Sequence, residues 1–321
     1  MQGEQSIAIE REMKAILFSL AELKPFFESK NVTDIWVDNG NVSIKEFGKS
    51  RHDTDLTLTN QQCKNILVQI AKHMDIDINY DNYPVLEGTI PHYDARITGV
   101  LNPWTKAPFI TIRKRPQIVY SLEDYIKNGQ LSEEKADKIM NYIKFRKNIL
   151  ISGGTNSGKT TLTNAIIKKM AEYAPNDSFF IVEDNAELQC KARYAEMLTI
   201  KTEQAMSAIK LSLRSSPDRI IFGEIRDGEV LWALLDAFNT GHPGGCSTIH
   251  ANSAEGTFLR MKMLLKKSFG VELPVNNLID MIIHCTKDPI TGMKVDEVIE
   301  TRDYTESQIE EIAKNSIEME I

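Results

Sequence analysis

Residues Asn148-Ile-Leu-Ile-Ser-Gly-Gly-Thr-Asn-Ser-Gly-Lys-Thr-Thr-Leu-Thr-Asn-Ala-Ile166 decide how the chain is read. The stretch opens on an apolar run, Ile149 to Ile151, of strand length and closed by Ser152 and two glycines. Gly153-Gly154-Thr155-Asn156-Ser157-Gly158-Lys159-Thr160 then satisfies the spacing G-x-x-x-x-G-K-[ST], with Thr161 directly behind it. Leu162, Ala165, Ile166 and Met170 follow at intervals of three and four residues, which predicts a helix.

Each part has a chemical reason. Glycines let backbone N–H groups turn inward around an anionic phosphate where a side chain would block the approach. A helix starting at Gly158 or Lys159 points its positive end at the same phosphates. Lys159 reaches the β- and γ-oxygens, and the Thr160 hydroxyl is a Mg²⁺ ligand. The bland alternative is a glycine turn with an incidental lysine. Strand and helix in the right places on either side argue against it, so the stretch implies binding of a nucleoside triphosphate.

Composition bounds the rest. At 321 residues two domains are expected. A hydrophobic fraction of 42% and a charged fraction of 26% are those of a soluble globular chain. The net charge of −7 offers no basic field, so direct nucleic-acid binding is not expected. No apolar run reaches the roughly twenty residues of a membrane span, and the start lacks a basic and apolar leader, so membrane contact is expected to be peripheral. Cys63, Cys190, Cys246 and Cys285 form no C-x-x-C pair and read as reduced thiols of a cytosolic protein.

Outward from the glycine loop the texture changes twice. Residues 7 to 29 carry apolar positions at helical spacing, with Pro25 expected to break them into two pieces. Val32 to Val37 and Val42 to Phe47 read as strands joined through Asn39-Gly40, a hairpin signal. Asn60 to His73 reads as an amphipathic helix with Cys63, Ile66, Leu67, Ile70 and Ala71 on one side. From Pro84 strand-and-turn texture returns, with Leu86 to Ile90, Ala95 to Leu101 and Phe109 to Arg113 as strands that carry Arg96 and Arg113. Taken alone, Arg96 reads as a solvent-facing strand residue.

The expected division is an α+β N-terminal domain over 1–115, a linker over 116–135 and an α/β domain over 136–321. In the last part strands alternate with helices, which implies a parallel sheet. Ligands of such sheets gather at the carboxyl ends of the strands. There the successive strands end in Gly153 and Lys159, in Glu183-Asp184, in Glu224 and in His250. A phosphate-transfer site needs a carboxylate for Mg²⁺ and one for the attacking water, and Glu183 and Glu224 are the candidates. Either can also be read as a helix N-terminal charge. Gly223-Glu224 departs from the usual Walker B pattern, in which aspartate follows the apolar run directly. His242 reads equally as structural or functional, and no Cys, His or Asp cluster has metal-ligand spacing.

Four ordered boxes carry a resemblance. They are Gly153 to Thr161, Ile181-Val-Glu-Asp-Asn-Ala-Glu-Leu188, Leu213 to Asp227 with Phe222-Gly-Glu-Ile-Arg-Asp227, and Thr240-Gly-His-Pro-Gly-Gly-Cys-Ser-Thr-Ile-His-Ala-Asn-Ser253. They resemble the Walker A, Asp, Walker B and His boxes of the type II/IV secretion ATPase superfamily. The Gly241-His-Pro-Gly-Gly loop and the missing cysteine pairs are most similar to VirB11-type enzymes of conjugal transfer. Tight-adherence and type IV pilus ATPases are close relatives.

The resemblance implies a RecA-like P-loop motor behind a smaller N-terminal domain, in a homohexamer at the cytoplasmic face of the inner membrane. It implies ATP and Mg²⁺ as cofactors, and as partners the membrane and coupling components of a secretion or conjugation machine. By the same resemblance Glu183 positions water, Thr160 and Glu224 serve Mg²⁺, His250 senses the γ-phosphate, and Arg96 and Arg113 reach the phosphates. Rival readings are a small-molecule kinase, for which no arginine-rich lid is found, and a nucleic-acid translocase, which the acidic composition does not support. An inactive structural ring is a third, and Lys159 with both glutamates argues against it.

Overall fold

The computed structural model describes the chain apart from residues 1, 77, 79–82, 116, 271–274, 276–277 and 319–321, with side chains of 2–9 and 313–318 also left aside. It divides into two units, Met1–Ile118 and Val119–Ile321. Pro116, which opens the expected linker, lies outside the described residues. From Val119 onward the linker stretch belongs to the second unit. It contributes α4 (Leu122–Lys127), whose Leu122 and Tyr125 are buried.

The first unit begins with α1 (Gln2–Ser19), a 3-10 turn at Ala21–Leu23 and α2 (Lys24–Glu28). The helical run therefore breaks before Pro25, which starts α2 in its first turn, where its missing N–H costs nothing. Next come β1 (Val32–Asp38), β2 (Asn41–Glu46), β3 (His52–Thr57), α3 (Asn60–His73), β4 (Val85–Ile90), β5 (Ala95–Val100) and β6 (Phe109–Arg113). Asn39 and Gly40 both hold positive φ, 50° and 83°, as a two-residue hairpin turn between β1 and β2 demands. The six strands form one antiparallel sheet in the order β3-β2-β1-β6-β5-β4. Its apolar face packs with Ile16 of α1, with Leu20 just after that helix, and with Cys63, Ile66, Leu67 and Ile70 of α3. Those α3 residues are the side read as apolar from spacing alone. Thr59 and Gln62 close a capping box at its start.

The second unit continues with α5 (Glu133–Lys144), β7 (Ile149–Gly153), α6 (Lys159–Tyr173), β8 (Ser178–Glu183), β9 (Tyr194–Thr199), α7 (Ala205–Ser215) and β10 (Arg219–Ile225). Then follow α8 (Gly228–Asn239), β11 (Cys246–Ile249), α9 (Ala254–Phe269), β12 (Met281–Thr286), β13 (Lys294–Glu300) and α10 (Glu306–Glu318). The sheet order is β13-β12-β7-β11-β10-β8-β9, parallel throughout except for β13 against β12. All residues of β7 and β11 are buried, as central strands covered on both faces require. The acidic helix α10 packs on this unit: Ile309 is in its core, and Glu306 pairs with Lys262 of α9.

The amino-terminal edge of the sheet is closed by a polar cluster. Arg219 is only 1% exposed, and its Nε donates to Asp177 Oδ2 at 2.8 Å. Its Nη1 donates to the Gly244 carbonyl at 2.9 Å, and Arg146 pairs with the same Asp177. Asn148 Oδ1 accepts from the N–H groups of Gly244 and Gly245 at 2.8 and 3.2 Å. The loop before β11 is thereby fixed to the starts of β7 and β10.

Removing Arg219 takes one of two cations from the buried Asp177 and a donor from the Gly244 carbonyl. Arg219→Met, which keeps the volume, is expected to lower the unfolding free energy by about 3 kcal/mol. The urea midpoint of the second unit, followed by far-ultraviolet circular dichroism, checks it; an unchanged midpoint contradicts the assignment.

Candidate functional site

Between β7 and α6 the backbone makes the turn that the glycine spacing predicts. A Cβ at Gly153 would lie 2.3 Å from the Cys285 carbonyl oxygen and 2.5 Å from Ser157 Oγ, so only glycine fits. Gly158 caps α6 in the left-handed region at φ +87°. Lys159 is buried, and its Nζ donates to the carbonyls of Gly153 and Gly154 at 3.0 and 2.8 Å.

Sheet register selects the neighbours of this loop. In the parallel pairing of β11 with β7, Ile249 lies opposite Ser152, so the next residue, His250, comes level with the loop. Phe222 of β10 pairs with Ser247 of β11 and with Val182 of β8. Lys159, His250, Glu224 and Glu183 therefore stand at one edge in the spatial order β7-β11-β10-β8, which differs from chain order.

The first three join into a polar chain. Lys159 Nζ is 3.4 Å from His250 Nδ1, and His250 Nε2 is 3.0 Å from Glu224 Oε1. An ammonium has no lone pair, so the ring accepts at Nδ1 and carries its hydrogen at Nε2, toward Glu224. Arg226 Nε donates to Glu224 Oε2 at 2.6 Å, and its guanidinium also pairs with Asp184. These flanking carboxylates, through hydrogen bonds as well as charge, outweigh partial burial and hold Arg226 above its usual range. Glu183 is buried, and its Oε2 accepts from the N–H groups of Glu187 and Leu188 at 2.8 and 2.9 Å. Asp227 stands apart as the N-cap of α8.

His242 is not part of this edge. Its Nδ1 is 2.7 Å from the Pro217 carbonyl, before β10, so the strand β11 separates it from His250. Arg96 and Arg113 belong to the first unit, where they are direct cross-strand partners on β5 and β6. Arg96 is exposed and Arg113 half-buried, on the face opposite the core residues Ile97 and Ile112.

Three residues that the sequence reading did not single out for the site also converge here. Arg226 is one, legible as a cation within Glu224-Ile-Arg-Asp. Asn164 is the second, a buried amide on α6. The third is His284 of β12, 2% exposed, whose Nδ1 lies 3.0 Å from Ser152 Oγ just before the loop. Burial pulls the His284 imidazole below its usual range, Glu297 and Asp296 pull the other way, and Lys159 adds to the lowering.

Among the described residues, no group of three His, Cys, Asp or Glu side chains forms a metal cage. Mg²⁺ takes few protein oxygens and completes its shell with phosphates and water. Thr160, in the first turn of α6, and Glu224 are oxygen donors of this kind. Among the described residues no helix is long and apolar enough to cross a membrane.

A strand, glycine loop and helix at the carboxyl edge of a mainly parallel sheet define the second unit as a RecA-like P-loop domain. The first unit is a smaller α+β domain. The chain belongs to the type II/IV secretion system protein family, which matches residues 29–316. It is 33% identical over 287 residues to the probable conjugal transfer protein TrbB of Sinorhizobium fredii, covering 88% of this chain and 87% of that one. It is 30% identical to the type IV secretion system protein VirB11 of Bartonella henselae, over 85% and 89% of the two chains. The X-ray structure of the Legionella pneumophila ATPase DotB has the same fold, with a TM-score of 0.66 at 19% identity over 94% of this chain and 88% of that one.

The folded protein holds His284 neutral where the unfolded chain would protonate it. Its contribution is complete above the unfolded value of about 6.5 and is lost as pH falls through the lowered folded value. The melting temperature is therefore expected to drop as pH falls below about 6.5, and His284→Gln to flatten that slope. Parallel slopes in thermal melts of both proteins contradict it.

Proposed function

We propose that this P-loop ATPase powers a type IV secretion or conjugal-transfer machine by Mg²⁺-dependent ATP hydrolysis. The observation that carries the reading is the glycine loop with Lys159, His250, Glu224 and Glu183 at four neighbouring strand ends. The similarity to TrbB and VirB11 chains over most of their length supplies the biological setting.

In this reading the backbone from Gly153 to Thr161 cradles the phosphates, and Lys159 exchanges its two carbonyl acceptors for phosphate oxygens. Thr160 and Glu224 hold Mg²⁺, which when bound neutralises charge on the β- and γ-phosphates. Glu183 orients the attacking water. His250, between Lys159 and Glu224, responds to whether Lys159 is engaged by phosphate, and so acts as the γ-phosphate sensor. Arg96 and Arg113 supply positive charge to the transferred phosphoryl group, which couples hydrolysis to movement of the N-terminal domain. The working form is a homohexamer at the cytoplasmic face of the inner membrane, engaging membrane and coupling components of the machine.

The test of assembly is steady-state ATP turnover per subunit over a series of protein concentrations, with Lys159→Ala as background. The rate is expected to climb and saturate, and Lys159→Ala to show no turnover. A flat rate from a particle with the mass of a monomer overturns the ring. A second measurement tests the carboxylate. Glu183→Gln is expected to bind nucleotide within about threefold of wild type while hydrolysis falls by at least about a hundredfold.

A further inference from the structure

Asn164 lies on α6, five residues beyond Lys159, and is 2% exposed. The other buried residues of that helix are the apolar Leu162, Ala165, Ile166, Ile167 and Met170, the Thr163 hydroxyl, which bonds back to the Lys159 carbonyl, and Lys159 itself. A buried amide there has a desolvation cost that alanine or leucine would avoid, and both are better helix formers. The cost is offset at both ends of the side chain by one segment. Asn164 Nδ2 donates to the Glu187 carbonyl at 3.0 Å, and its Oδ1 accepts from the Gln189 N–H at 2.8 Å.

The same segment holds Glu183. The N–H groups of Glu187 and Leu188 that grip Glu183 Oε2 lie in the three residues that Asn164 clamps. No helix or strand fixes residues 184–189. A two-step link thus ties the Glu183 carboxylate to the phosphate-binding helix, through Asn164 to the 187–189 backbone and from that backbone to Oε2.

We infer that Asn164 is a positioning residue for hydrolysis: it ties the orientation of Glu183 to the helix that carries Lys159. The inference rests on the reading of Glu183 as the carboxylate that orients water. Misplacing a catalytic group by about 1 Å costs on the order of a hundredfold in rate. Nucleotide binding by the glycine loop does not pass through the link.

The test measures ATP turnover and nucleotide affinity for Asn164→Leu, Glu183→Gln and the double variant. Asn164→Leu is expected to keep its nucleotide affinity within about threefold and to lose turnover on the order of a hundredfold. Because the two residues act as one unit, the double variant should be no slower than Glu183→Gln. A general packing defect would instead slow the double variant further and weaken binding, and that result overturns the inference. So does wild-type turnover in Asn164→Leu. Wild-type turnover in Glu183→Gln overturns the role of Glu183 itself, whatever Asn164 does.

Asn164→Asp covers the case in which the leucine variant fails to fold. It keeps the acceptor for Gln189 and loses the donor toward Glu187, which returns when the carboxyl is protonated. Its turnover relative to wild type should rise as pH is lowered, and a flat ratio contradicts the inference.

Discussion

The parallel pairing of β11 with β7 is the constraint on which the rest of the site depends. It sets Ile249 against Ser152, so His250 leaves the sheet beside the glycine loop and within reach of Lys159. A slip by one residue would turn His250 to the opposite face. Because β11 is also paired with β10, the same register carries Glu224 to His250, and through Arg226 to Asp184. The alignment of four strand ends is thus a consequence of backbone hydrogen bonding between largely buried strands.

The two edges of that sheet solve opposite problems. At the amino edge, Arg219, Asp177, Arg146 and Asn148 satisfy one another and the 244–245 backbone, which fixes where β7, β10 and β11 begin. Charge buried this way adds little net stability, but it penalises any arrangement that separates the partners. At the carboxyl edge Glu224, Arg226 and His250 are partly exposed, and Lys159 is held by main-chain carbonyls that a phosphate can replace. The rigid edge keeps the chemical edge in register.

The first unit uses a different device. Its antiparallel sheet has one face on α1 and α3, and the other carries Arg96 directly opposite Arg113. Two guanidinium groups so placed repel each other unless anions or dipoles lie near them. Thr59-Gln62 capping and the Asn39-Gly40 turn fix α3 and the β1–β2 hairpin locally, while the arginine pair exists only because β5 and β6 are neighbours.

By itself the sequence determined the strand–loop–helix unit from 149 to 170, the apolar side of α3 and the β1–β2 hairpin. In each case the governing contacts span a few residues, and glycine, lysine or an apolar period at fixed offsets is enough. It also marked Glu183, Glu224 and His250 as strand ends. It did not yield β3, which is mostly polar, or β9, where Tyr194, Met197 and Leu198 follow no apolar period; both are part-exposed sheet edges, where pairing comes from the neighbour. Nor did it yield β12, since a short apolar run does not distinguish a buried strand from a piece of helix. The separation of His242 from His250, the Arg226 bridge, the Ser152–His284 contact and the clamp from Asn164 were decided by tertiary structure alone. Apart from the Arg226–Glu224 arm of that bridge, these rest on hydrogen bonds, ion pairs or strand placement among groups far apart in the chain, and local backbone preference carries no record of them.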